Sequence, residues 1–172
     1  MTIFVVGVGN IFLGDDAFGV EVVRRLMSER LPPQVRVADF GIRCLHLAYE
    51  LLDGAYDLTV LVDATSRGNA PGTVYLIEPR FDDATPVPPA DAHTMNPDAV
   101  FAALRSLGGA PGRMLLVACE PASIEEGMGL SPQVAAAVDE AIDLIHGLLA
   151  RELAKGEPDV SGDPRPNRAV VS

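Results

Sequence analysis

The sequence predicts an α/β protein, a three-layer αβα sandwich built on a mostly parallel, twisted five-stranded sheet with one antiparallel edge strand. Three observations predict it. Short apolar, β-branched runs alternate with helix-length amphipathic segments, which is the rhythm of βαβ units. The first, third and fifth runs are apolar almost throughout, as strands covered on both faces must be. One connection is too short to hold a crossover helix.

Ile3–Val8 is the first strand, and it runs into a turn at Gly7-Val8-Gly9-Asn10, where glycines break the apolar run. Asp15 or Asp16 then offers an N-cap to a helix over Ala17–Ser28, with Val20, Val23 and Met27 on one face and Pro32-Pro33 as its stop. A second strand, Val35–Ala38, ends at Asp39; Gly41 follows, then a helix around Leu45–Leu52. The third strand, Leu58–Val62, ends at Asp63. Only Ala64–Gly72 separate it from the run Thr73–Ile77. A parallel return needs about a dozen residues or more, so Thr73–Ile77 is the antiparallel edge strand. Arg80–Ala92 is rich in Pro and Asp and reads as a long loop. A helix spans about Pro97–Leu107, and Met114–Cys119 is the fifth strand. Pro132 opens a long final helix whose apolar stripe is Val134, Val138, Ile142, Ile145 and Leu149. From about Lys155 the periodicity ends among Pro and Gly. A single domain is therefore expected over residues 1–154, followed by a disordered or loosely draped tail over 155–172.

Composition narrows the function. A chain of 172 residues suits one domain with one substantial core. Its formal charge of −11, without any Lys/Arg cluster, repels phosphate backbones and excludes nucleic acid as a partner. No apolar stretch reaches the ~18–20 residues of a membrane span. The opening MTIFVVGVGN lacks a basic leader and a small-residue cleavage site, so a cytoplasmic location is expected. Cys44 and Cys119 form no C-x-x-C pair; they are expected as buried thiols, and a thiolate zinc site is unsupported.

Binding sites in such sheets form beyond the carboxyl ends of the strands. Asp15/Asp16, Asp39 and Asp63 all map to that edge. Clustered acids raise one another's pKa unless a cation or a shared proton compensates, and a divalent metal is the simplest compensation. His93, in the loop ahead of the Pro97–Leu107 helix, is placed to add an imidazole. Two carboxylates and a histidine, with positions left open, suit a catalytic divalent ion. Plainer roles stand beside each residue. Asp15 or Asp16 caps a helix, and periodicity does not say which; Asp39 is a solvated strand end, and His93 a surface loop histidine. His46 and His146 sit beside apolar helical stripes, and Glu120 next to Pro121 is a turn residue. Asp63 is hardest to explain so, because it abruptly ends a fully apolar run.

Gly7-Val8-Gly9 with an acid after the second strand imitates a dinucleotide fingerprint. Phe12 occupies the third glycine position. More decisively, Asp15-Asp16 stand where a pyrophosphate needs a bare positive helix end. The lone G-x-G is a weak signal, and the dinucleotide reading ranks third.

Several blocks together resemble one family, the hydrogenase maturation endopeptidases. GVGNIFLGDDAFGVEVVRRL is similar to its opening signature, a G-x-G-N, an acidic pair, then glycine and an amphipathic helix. LVDATSRGNAPGTV resembles its second block, DAHTMNP its third, and Gly-Leu-Ser-Pro in EEGMGLSPQVAAAVDEAI the start of its last helix. The matches keep their order over roughly residues 1–150.

The resemblance implies a metal-dependent endopeptidase that removes a C-terminal peptide from the large-subunit precursor of a nickel–iron hydrogenase. Cleavage follows nickel insertion, and the metal is the feature recognised. Carried over by position, the metal and catalytic residues are Asp16, Asp63 and His93; the family has Glu or Asp at the first, which selects Asp16. Nickel is expected to arrive on the substrate, with zinc or another divalent ion as a substitute, and the enzyme to rest without metal as a monomer. Asp39, Gly41 and Arg43 are expected at the substrate cleft. There the chain departs from the family's Gly-Gly-Thr-x-Gly loop, having Phe40-Gly41-Ile42-Arg43-Cys44, a difference that bears on which hydrogenase subtype is processed. One rival uses the same residues, a non-catalytic nickel-sensing or chaperone module for the precursor; a second is a peptidase resembling the spore-protein proteases, which would cut precursor lacking nickel equally well.

Overall fold

The computed structural model describes residues 1–80 and 97–156. Five strands, β1 (Ile3–Val8), β2 (Val35–Gly41), β3 (Leu58–Ala64), β4 (Val74–Ile77) and β5 (Met114–Cys119), form one sheet in the order β2-β1-β3-β5-β4. β1 lies parallel to β2 and β3, and β3 parallel to β5; β4 pairs with β5 antiparallel. The short Thr65–Thr73 connection does what its length demands.

Helices α1 (Phe18–Met27) and α4 (Pro132–Gly156) cover one face, while α2 (Cys44–Asp53) and α3 (Pro97–Ser106) cover the other. Alternation along each strand divides the core. Ile3, Val5, Val60 and Val117 meet Phe18, Leu26, Val138 and Ile145. Phe4, Val6, Leu61 and Leu116 meet Leu47, Ala48, Val100 and Leu104. Strands buried on both sides carry no polar face, which is why the sequence shows solid apolar runs. All five stripe residues of α4 are buried.

The first helix differs from expectation in a way that matters. A 3₁₀ turn at Gly14–Ala17 precedes α1, and neither Asp15 nor Asp16 caps a helix with its side chain. Met27, expected on the apolar face, is 56% exposed; Leu26 takes the core position instead. α1 lies very close to the sheet. A Cβ on Gly19 would meet the Val62 carbonyl oxygen at 2.1 Å and that of Val8 at 2.6 Å. The close helix–sheet approach is thus made at Gly19, inside the helix.

Other boundaries shift modestly. β2 extends to Gly41, so Asp39 lies within the strand, beside a register irregularity where Gly7 pairs with Asp39 but Val8 with Gly41. Gly41 supplies the left-handed backbone (φ +53°). Cys119 is buried but Cys44 only half so. His46 is exposed, as is His146, which pairs with Glu29 at 2.7 Å. The expected tail over 155–172 starts too early, since α4 continues through Lys155 to Gly156; its remainder, 157–172, and the expected Arg80–Ala92 loop from residue 81 onward lie outside the described residues. Among those described, no helix is long and apolar enough to cross a membrane.

Polar ties gather at the amino ends of the strands. The Thr2 amide donates to Asp57 at 2.6 Å. Arg113, just ahead of β5, pairs with Glu152 of α4 at 2.6 Å, and Lys155 joins the same carboxylate at 3.1 Å.

Candidate functional site

The chain leaves β1 toward β2 on one side and β3 toward β4 and β5 on the other, so the strand order reverses between β1 and β3, where a crevice forms beyond the carboxyl ends of these two strands. Asp63 ends up there with its side chain fully buried. Its Oδ1 accepts the Ala64 amide at 2.8 Å. Among the described residues no donor reaches its Oδ2. Asp16, on the 3₁₀ turn, is half-buried and accepts the Asn10 amide at 2.7 Å through Oδ2.

Burial, and secondly the charge of Asp16, push the Asp63 carboxyl well above the usual range. Burial raises Asp16 as well, opposed by the Asn10 hydrogen bond. Two acids at one edge, one with a desolvated oxygen lacking a donor among the described residues, make a place where a second negative charge is disfavoured and a cation is favoured. Carboxylate oxygens suit hard and borderline divalent ions. The donors present therefore fit part of a divalent site. Among the described residues no set of three His, Cys, Asp or Glu side chains forms one. His93, the expected third ligand, lies outside the described residues.

Two other acids near this edge have structural work. Asp15 is buried, and its carboxylate accepts the amides of Ser131 (2.7 Å), Ala122 (2.8 Å) and Ser123 (3.2 Å) and the Ser131 hydroxyl (2.8 Å). Glu120, buried at the end of β5, accepts the Arg67 amide and the Tyr75 hydroxyl, both at 2.8 Å, and so fixes the β3–β4 connection. Sequence reasoning missed both roles. Their partners lie 45 to 116 residues away, and the Ser131 of Gly-Leu-Ser-Pro was the one local signal for the first.

An open groove of roughly 190 Å³ lies between the loop after β1 and the end of β2, framed by Asn10, Phe12, Arg24, Asp39, Gly41 and Ile42. Asp39 holds Arg24 Nε at 3.1 Å and accepts the Gly41 amide at 2.9 Å. Asp39 and Gly41 thus line the groove. Arg43 does not line it. Its guanidinium folds back to donate to the Asp39 carbonyl at 2.6 Å and stacks over the Phe40 ring. Phe12, Arg24 and Ile42 are lining residues that sequence reasoning did not single out.

Comparison with known proteins points one way. A profile of a family described as hydrogenase maturation protease matches residues 20–148. The hydrogenase 2 maturation protease of Escherichia coli (strain K12) is 33% identical over 147 residues, covering 84% of this chain and 88% of that protein. The solved structure of the E. coli hydrogenase maturating endopeptidase HybD superposes with a TM-score of 0.69 at 32% identity, covering 88% of this chain and 94% of that one. The crystal structure of a hydrogenase 2 maturation peptidase from Thaumarchaeota archaeon SCGC_AB-539-E09 gives 0.66 at 29% identity, with 87% and 98% covered.

Proposed function

This chain belongs to the hydrogenase maturation protease family, and from that premise we propose that it is the endopeptidase that removes the C-terminal extension of a nickel–iron hydrogenase large-subunit precursor after nickel insertion. It works as a cytoplasmic monomer. The carboxylate pair at the switch point carries this reading. Asp63 is fully buried beside Asp16, with an oxygen that no described residue supplies with a donor. Such a pair is comfortable as two anions only when a cation stands between them.

The nickel is part of the substrate. Asp16, Asp63 and His93 are its ligands on the enzyme, and zinc or another divalent ion serves as a substitute. Gripping an ion already held by the precursor tethers the adjoining peptide bond, and this proximity supplies much of the rate. A bound divalent ion polarises a carbonyl or acidifies a water. The chain's own residues do the rest. Asn10 orients Asp16 through its amide. The groove at Asp39 and Gly41 receives the extended polypeptide, with Arg24 steadying Asp39.

Mass spectrometry of nickel-loaded and nickel-free precursor tests this. Wild type is expected to shorten only the loaded form, and Asp63→Asn and His93→Ala to slow that cleavage at least about a hundredfold. Full processing by His93→Ala would refute the ligand set. Equal trimming of nickel-free precursor would leave a protease and remove nickel recognition, while binding without shortening would indicate a chaperone. Asp63→Asn is also expected to melt at a temperature equal to or about 2–4 °C above wild type, since it replaces a carboxyl whose ionisation burial and Asp16 disfavour.

A further inference from the structure

The carboxylate pair makes no use of the segment 121–131 between β5 and α4, yet the fold invests heavily in holding that segment still. Near both ends it is tied to one buried carboxylate, that of Asp15, through the amides of Ala122, Ser123 and Ser131 and the hydroxyl of Ser131. In its middle Gly127 donates to the Phe12 carbonyl at 2.9 Å and accepts from the Gly14 amide at 2.9 Å. The Asp15 amide donates to Ser123 O at 3.0 Å. The segment and the turn after β1 are therefore one hydrogen-bonded ledge, with Gly129 (φ +96°) taking the left-handed backbone it needs.

What the ledge displays is unusual. Met128 is 73% exposed, Phe12 60% and Ile124 56%. Glu125 and Glu126 are exposed between the two aliphatic residues. Apolar side chains left in water on an ordered backbone cost solvation without helping the fold, but suit binding, because the entropy of ordering the loop has already been met. The ledge is also continuous with the site. Phe12 lines the groove beside Asp39, and Asp16 adjoins the Asp15 anchor.

We propose that segment 121–131 is a preformed exosite that docks the body of the substrate protein, through an apolar patch flanked by basic side chains, while its C-terminal extension enters the groove. The exosite rests on the peptidase reading for the identity of its occupant. Charge selects that occupant. On a chain of net charge −11, a face carrying Glu125 and Glu126 repels a second copy of itself and attracts a basic rim.

The test uses the full chain and a nickel-free hydrogenase large-subunit precursor from the same source, with calorimetric Kd at low and high NaCl. The double variant Ile124→Ser/Met128→Ser is expected to weaken binding about tenfold or more, since two apolar side chains lose their burial. The double variant Glu125→Lys/Glu126→Lys is expected to weaken binding at low salt and flatten its salt dependence. On nickel-loaded precursor the first variant is expected to raise KM by a similar factor, with a much smaller fall in kcat. Kd values equal to wild type in both variants overturn the exosite, as does wild type that does not bind precursor. Failure of wild type to shorten nickel-loaded precursor overturns the peptidase reading instead, so the two failures are separable.

Discussion

Burial raises the pKa of any carboxyl group, and Asp15 and Asp16 both experience it. They diverge because of donors. Burial is the largest influence on Asp15, but donors from Ser131, Ala122 and Ser123 together outweigh it and hold the group below the usual range. Asp16 has one such donor and stays raised. A saturated carboxylate is a structural anchor; an undersupplied one is available to a ligand. Asp15→Ala strands several amides at once, and is expected to cost about 2–4 kcal/mol in urea unfolding. From the sequence the two aspartates are equivalent, because both sit before an amphipathic helix and the donors that separate them arrive from residues 122–131. Asp63 was legible for a different reason: an acid that ends a solid apolar run has no solvated place to go.

At the scale of elements, β1 and β5 were read to the residue, since burial on both faces leaves an unmistakable apolar run, as in Met114–Cys119, whereas the half-buried edge strand β2 runs three residues past its expected end. Chain length alone gave the sense of β4. The approach of α1 to the sheet was not legible, because contact distance depends on how two elements cross. Gly19 meets β3 and Gly7 meets α1, where a Cβ would sit 2.3 Å from the Gly19 carbonyl oxygen. Gly19→Ala is therefore expected to push α1 outward and destabilise the protein by about 1–3 kcal/mol or more. The same shift would carry the Asp16 turn away from Asp63, so processing should fall further than the loss of folded protein explains. Thermal melting alongside a cleavage assay checks both. A substitution at Gly68, where an added Cβ meets nothing within 4 Å, gives a comparison governed by backbone strain alone.

For the molecule as a whole, acid sensitivity is set partly at the amino ends of the strands. Hydrogen bonds from Arg113, and then from Lys155, hold the buried Glu152 down to about 2, against its ordinary 4.5. A depressed carboxyl contributes stability that is complete above the unfolded value and lost as pH falls toward the folded one. The melting temperature is accordingly expected to decline between about pH 4.5 and pH 2, and Glu152→Gln to shallow that decline while lowering stability near neutrality. A parallel decline in the variant would show that other groups dominate.

The Arg113–Glu152–Lys155 cluster stands at the opposite end of the sheet from Asp16 and Asp63, separated by strands of six residues or about 20 Å. That distance exceeds the roughly 8–10 Å over which charges are felt in physiological salt. The acid-sensitive tie at Glu152 and the chemistry are thus housed at different ends of the molecule. Lineages facing heat or acid can rework the cluster around Glu152 without disturbing the field at the working end, and an engineer seeking a hardier variant has the same freedom.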